Sequence, residues 1–406
     1  MTGKSIIGYH PDGRIVTYSS IREAERLTGC FRSQIQRAIK RPVCKTKGIK
    51  WTTQDGATPT EKLPRAVDEE LKELGVSPES VSTVWAKQMK NGTYRYSIKF
   101  SDKDEGIDTE NLLNSFRECI EDVEPVEIPF IKGNNKALLI YTADKHVGAM
   151  VNKNSMYDNH YDGEEFKRRM THLLSKITYL ANDLGSFNDI FIIDLGDPLD
   201  GFNKQTTRGS FGLPQNMSNE EAFDTFIKVH TMFFDELVKL KVASRIHFKA
   251  VTNDNHSGSF GYTAQRALQI YLNVKYPDIE TQISDKFMSH FHIGEHTFII
   301  THGKDREDRI KSLPLNLNDQ TKNFITDYID YHKLSKPAGF IHVIKGDMHQ
   351  AASQLTGRFR YRNVLSLFGA SSWIQNNFGS QTIAGVAIDV IDKDRNISME
   401  YNLILN

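Results

Sequence analysis

The sequence predicts a layered α/β protein, a β-sandwich flanked by helices, with a small N-terminal α+β module of helix-turn-helix type. Three observations predict it. From residue 135 onward, short and strongly apolar segments alternate with long amphipathic ones, as in sheets and helices packed in layers. The apolar segments are followed directly by clusters of Asp, His or Asn. The first 52 residues differ from the rest in charge and carry the pattern of a helix pair.

The bulk composition sets limits. A chain of 406 residues has room for two or three domains. No apolar run approaches the roughly 20 residues that cross a bilayer, and Met1 to Tyr9 lack the layout of a signal peptide. No membrane partner is expected. Three cysteines, Cys30, Cys44 and Cys119, do not make a disulfide framework. They point to a reducing, cytoplasmic setting, in a bacterium or a phage-infected host. The expected division is residues 1–52, a DNA-binding module, residues 53–134, a linker with a small hairpin, and residues 135–406, the catalytic domain.

In residues 1–52 eleven Lys or Arg face three acids, a surplus that the rest of the chain cancels to a net charge of zero. A basic head on an acidic body suits a polyanion, although a solvated basic face has the same composition. Strands Ile6–Tyr9 and Ile15–Tyr18 flank the turn Pro11-Asp12-Gly13. Ser19 or Ser20 can cap a first helix with Ile21, Ala24 and Leu27 on one face, and Thr28-Gly29-Cys30 breaks it. A second helix, from about Ser33 to Lys40, turns Ile35, Ala38 and Ile39 inward and leaves a polar, basic face. Two helices across a glycine turn form the geometry of a DNA reader. On it the candidate contacts are Arg32, Gln36, Arg37, Lys40 and Arg41. The run "YSSIREAERLTGCFRSQIQRAIKR" with "KGIKW" resembles the small DNA-binding repeats attached to homing endonucleases. A helical hairpin that docks on protein is the alternative.

Residues 53–62 read as a linker and residues 66–75 as a short charged helix. Thr83–Met89 and Thr93–Phe100 flank Asn91-Gly92, a hairpin signal. Beyond residue 135, strands are expected at 137–142, 189–195, Arg245–Val251, Thr297–Thr301 and Gly339–Lys345. Helices are expected at 163–184 and 219–241, the first with Phe166, Met170, Leu173, Ile177, Leu180 and Leu184 on one face. Sites in α/β sheets form at the carboxyl ends of strands. There the sequence places Asp144 and His146, then Asp197 and Asp200, then Asn255 and His256, then His302, then Asp347 and His349. Carboxylate, imidazole and amide oxygen together suit Mn²⁺, Fe²⁺, Zn²⁺ or Mg²⁺. A structural zinc site is disfavoured, because no cysteine is near.

This order resembles the calcineurin-like metallophosphoesterase family, whose pattern is Asp-x-His, Gly-Asp, Asn-His, His, and Gly-His-x-His. The likeness spans about residues 137–405, and "YTADKHVGA" looks closest to the nuclease branch, the exonuclease subunits of double-strand-break repair complexes. The resemblance implies a first metal on Asp144, His146 and His349, a bridging Asp197, and a second metal on Asn255 and His302. It puts His256 beside the scissile phosphate. Two departures stand out: Thr252-Asn253-Asp254 displaces the usual glycine, and Asp347 replaces the first His of the last motif. Asp347 can serve as a hard ligand of the second ion, favouring Mn²⁺ or Mg²⁺ over Zn²⁺, or leave that site weak. Arg208 can clamp a phosphate oxygen or lie on the surface.

The expected function is a phosphodiesterase, foremost a DNA nuclease, in which two divalent cations, Mn²⁺ foremost, activate the attacking water. An ATPase or a second copy is a candidate partner. A phosphatase or small-molecule phosphodiesterase, and a DNA-binding or phage structural protein with a degenerate site, are the alternatives.

Overall fold

The computed structural model describes residues 6–10, 15–40, 49–53, 81–88, 94–100, parts of 114–120, and most of 123–405. Within that last stretch the described runs are 123–151, 160–307, 309–336, 339–371, 382–393 and 397–405. The Pro11-Asp12-Gly13 and Asn91-Gly92 turns, Arg41, Cys44, Cys119, most of the linker and the helix expected at 66–75 lie outside the described residues. The chain divides into two compact units, Met1–Lys72 and Glu73–Asn406.

In the first unit, strands β1 (Ile6–Tyr9), β2 (Ile15–Tyr18) and β3 (Lys50–Thr53) form an antiparallel sheet in the order β2-β1-β3. Helices α1 (Ile21–Thr28) and α2 (Arg32–Lys40) follow β2. The Ser20 side chain accepts from the Glu23 N–H and caps α1, and Gly29 ends it at φ 69°, a left-handed turn suited to glycine. Ile6, Tyr18, Ala24, Cys30, Ile35, Ala38, Ile49 and Trp51 bury the core of this unit.

The second unit begins with an antiparallel pair, β4 (Val81–Gln88) and β5 (Tyr94–Phe100). Then come β6 (Lys136–Thr142), α3 (Gly163–Leu184), β7 (Phe187–Asp194), α4 (Asn219–Leu240), β8 (Ala243–Val251), α5 (Gly258–Lys275) and β9 (Glu280–Ser284). Next are β10 (Ser289–Ile293), β11 (His296–Thr301), α6 (Asp319–Tyr331), β12 (Phe340–Lys345), β13 (Ala352–Leu355) and β14 (Phe359–Asn363). The last two are β15 (Gly385–Asp392) and β16 (Ile397–Ile404).

Two sheets result. A six-stranded sheet runs β16-β15-β6-β7-β8-β9, with β6 to β9 parallel, and a five-stranded sheet runs β10-β11-β12-β14-β13, with β11, β12 and β14 parallel. Side chains alternate across a strand, and β6 shows what that does. Ala137, Leu139 and Tyr141 point into a core shared with Phe298, Ile300 and Ile344 of the second sheet, whereas Leu138 and Ile140 point into the core of α3, α4 and α5. The outer face of the second sheet packs Ile299, Val343 and Tyr361 on Ile325 and Ile329 of α6. The order is therefore helix, sheet, sheet, helix, the layered sandwich the sequence predicts. Each large side chain buried in these layers contributes roughly 1.5–3 kcal/mol.

The long helices carry explicit start signals. Asp162 caps α3 by accepting from the Glu165 N–H, and Ser218 with Glu221 forms a reciprocal capping box on α4.

Candidate metal centre

The site lies where β6, β7, β8, β11 and β12 end. Their following loops are stitched by backbone bonds that continue the parallel register. Asp144 N–H donates to the Gly196 carbonyl at 3.1 Å, His146 N–H to the Asp197 carbonyl at 3.0 Å, and Gly346 N–H to the His302 carbonyl at 3.2 Å. The turns are tight enough that Asp144, His146, Asp197, Asp347 and His349 all adopt positive φ, between 46° and 71°. Such conformations cost non-glycine residues about 1 kcal/mol or more each, and they gather at functional sites. At Gly196, φ is 101°, and an added Cβ would fall 2.9 Å from Nδ1 of His302.

Three donor groups assemble there: Asp144, His146 and His349; Asp144, Asp197 and His302; and His146, Asp197 and His256. The set is buried, apart from the partly exposed His256. Each of three rings turns one nitrogen outward. Nδ1 of His146 meets Asp200 at 2.9 Å, Nδ1 of His302 meets the Leu195 carbonyl at 3.0 Å, and Nδ1 of His349 meets the Gly369 carbonyl at 2.7 Å. Those partners accept only, so the Nδ1 atoms carry the protons and a neutral ring presents the Nε2 lone pair inward.

What the Nε2 atoms face is other acceptors. The Nε2 atoms of His146 and His349 stand 3.3 Å apart, and His349 Nε2 is 3.4 Å from Asp144 Oδ1. His302 Nε2 is 3.0 Å from Asn255 Oδ1 and 3.2 Å from Asp197 Oδ2. Lone pairs facing lone pairs at these distances require positive charge between them, as protons or as cations. The protonation energetics agree. Burial opposes charge on His302, but Asp197 and Asp144 more than offset it and raise its pKa to about 10. His349 is raised against its own burial by Asp144. Against burial, His302 and His256 hold Asp197 well below the usual carboxylate range. The chemistry of these donors fits divalent cations, held among Asp144, His146, Asp197, His302 and His349, with the Asn255 oxygen beside His302.

His256 stands apart from that inward set. Its N–H donates to Asp197 Oδ1 at 3.0 Å, and its Nδ1 is 3.5 Å from Asp200 Oδ1. Burial lowers its pKa, while Asp197 and Asp200 raise it to a net value of about 9.

Asp347 sits beside this cluster, and its carboxylate is outside the three donor groups found among the described residues. Its backbone N–H donates to both Asp144 oxygens at 3.2 Å, while its carboxylate lies 3.6 Å from the Lys304 ammonium. Arg208 approaches through its backbone: its N–H donates to the Asn255 carbonyl at 2.9 Å, and that of Thr207 to the His256 carbonyl at 2.9 Å. Its guanidinium bonds the Asp305 carbonyl at 3.2 Å and Ser312 Oγ at 3.3 Å. In the first unit, Arg32 and Gln36 are exposed on α2, and Arg37 and Lys40 lie on the same helix.

The structure gives roles to residues that the sequence left without one. Asp200, singled out by its place three residues after Asp197, orients His146. Asp254 displaces the expected glycine and is buried. Its carboxylate accepts the N–H groups of Ser257 and Gly258 at 2.9 Å each and anchors the start of α5. Burial and the adjacent Asp197 push its pKa well above the usual range. Arg169 reaches from α3 to the Leu367 and Phe368 carbonyls at 2.8 Å, fixing the loop whose Gly369 carbonyl holds His349.

The chain matches no protein-family model and no curated relative. It is similar to several solved structures. One is the Vps29 of Entamoeba histolytica complexed with zinc, at 11% identity, a TM-score of 0.28, and 66% of this chain over 99% of that one. A second is an archaeal phosphodiesterase, at 13% identity, a TM-score of 0.30, and 66% of this chain over 99% of that one. A third is a predicted phosphoesterase of Streptococcus pneumoniae, at 12% identity, a TM-score of 0.23, and 67% of this chain over 100% of that one. Overlaps of this size decide nothing about the chemistry, which rests on the donors themselves. No helix among the described residues is long and apolar enough to cross a membrane.

Proposed function

We propose that this chain is a metal-dependent phosphodiesterase that acts on DNA and is brought to it by its N-terminal unit. The observation that carries the hydrolytic part is the inward convergence of acceptor atoms from Asp144, His146, Asp197, Asn255, His302 and His349. A pair of divalent cations there, with Mn²⁺ our first choice, would neutralise the non-bridging oxygens of a phosphodiester and acidify the attacking water.

The residues of the chain do the rest. Asp197 turns Oδ2 towards His302 at 3.2 Å and His146 at 4.0 Å, so one oxygen addresses both halves of the centre. Its other oxygen holds the His256 backbone, which fixes the imidazole at the partly open side. That ring, 3.5 Å from Asp200, is placed to donate a proton to a departing alkoxide. Asp200 contacts both His146 and His256 and orients the pair.

The DNA part is supported by the basic composition of the first unit and by α2, where Arg32 and Gln36 are exposed beyond a glycine turn. The test is digestion of labelled single- and double-stranded DNA with Mn²⁺, beside an aryl phosphate diester and monoester. Cleavage of DNA and diester in preference to monoester is expected. Monoester turnover alone would replace the reading with a phosphatase, and no turnover of any of them would end it.

A further inference from the structure

Asp347 ends β12 next to the Asp144, Asp197 and His302 group, yet its carboxylate belongs to none of the three donor groups among the described residues. Its nearly buried side chain faces the ammonium of Lys304 at 3.6 Å, and that lysine is about one-third exposed. A second ammonium is close by. Lys345 is fully buried, donates to the Gly346 carbonyl at 2.9 Å, and lies against Gly303, where an added Cβ would be 3.3 Å from its Nζ. Lys304 and the buried Lys345 thus both stand beside Asp347, while the half made by Asp144, His146 and His349 has Asp200 behind it.

We propose that Lys304 is a built-in competitor of the second cation. By pairing with Asp347, it keeps that carboxylate from the Asp197, Asn255 and His302 half and places a like charge beside the incoming ion. The first half therefore fills tightly, and the second fills weakly and exchanges. Lys304 is the residue that sets the difference. The inference rests on the two-cation reading above and adds an order to the filling.

The test is calorimetric titration of the full chain with MnCl₂. Two steps of unequal affinity are expected. Lys304→Met and Lys304→Gln should each strengthen the weaker step by about tenfold or more, since a unit charge a few ångströms from a divalent ion is removed. Lys304→Arg should keep the wild-type pattern. An unchanged tighter step reports that each variant is folded around its first half. Two wild-type steps that the Met and Gln variants leave unaltered would overturn this inference alone. Absence of any Mn²⁺ binding would overturn it together with the two-cation reading.

Discussion

Nδ1 of His302 lies 3.0 Å from the backbone carbonyl of Leu195, the residue just before Gly196. The ring of one strand end is thus clamped by the backbone of another, and the missing side chain at position 196 makes room for it. Gly196→Ala would bring a methyl group to within 2.9 Å of that nitrogen at a φ of 101°. We expect a loss of about 1–3 kcal/mol in unfolding free energy, measured by urea denaturation, and a lost or weakened second metal step. A variant as stable as the parent, with both steps intact, would remove the clamp from the account.

Asp197 is the residue whose loss should hurt most. Asp197→Ala takes the carboxylate oxygen that lies 3.2 Å from His302 and 4.0 Å from His146. Hydrolysis of an aryl phosphodiester should fall at least ~10³-fold, and bound Mn²⁺ should drop below two ions per chain, with the circular dichroism spectrum retained. Parental turnover in a metal titration would reject the site.

His256 should separate chemistry from binding. Its side chain is at the partly open edge, and its backbone N–H donates to Asp197. His256→Ala is expected to leave Mn²⁺ stoichiometry unchanged and to lower kcat by about 10²-fold or more. The loss should shrink for substrates with good leaving groups, because those need no donated proton. An equal loss for good and poor leaving groups would assign His256 a positioning role instead.

Cation binding should release protons. In the metal-free protein Asp197 and Asp144 overcome burial and raise the His302 pKa to about 10, so that ring holds a proton at neutral pH that an ion must displace, and Asp144 raises the His349 pKa above its ordinary value against burial. Mn²⁺ affinity should therefore rise with pH, and calorimetric enthalpies at pH 7 should vary with the ionisation enthalpy of the buffer. The metal-free fold carries the opposite sign for His302. Its raised pKa stabilises that form fully below about 6.5, and the contribution is lost as pH climbs through about 10. Affinity flat between pH 6 and 9, on the scale of these ordinary values, would contradict the proton count.

For the first unit, the full chain carrying Arg32→Ala with Gln36→Ala should bind duplex DNA more weakly. Arg32→Ala alone should lower the salt slope of log K by about one if the side chain meets a phosphate. Binding that responds to neither change nor to salt would leave the basic head without its polyanion.

The sequence alone located five strands beyond residue 135, β6, β7, β8, β11 and β12, because apolar runs bounded by polar clusters declare both a buried strand and where it stops. The helix expected at 163–184 is found at Gly163–Leu184, and the strands expected at 137–142 and 189–195 are found at Lys136–Thr142 and Phe187–Asp194. Helix α5 was not legible, since Gly258 and Gly261 and the buried Gln265 and Gln269 interrupt its apolar face. The donor types were legible too, as residue identities following strands. What only the tertiary structure decided is which atom of each donor faces inward and what stands behind it. Those orientations depend on partners far away in the chain: the carbonyls of Leu195 and Gly369 for His302 and His349, Asp200 for His146, and Lys304 for Asp347. A strand pattern reports burial, which is local. The aim of a ring nitrogen depends on hydrogen bonds made across sheets, and those exist only once the layers have closed.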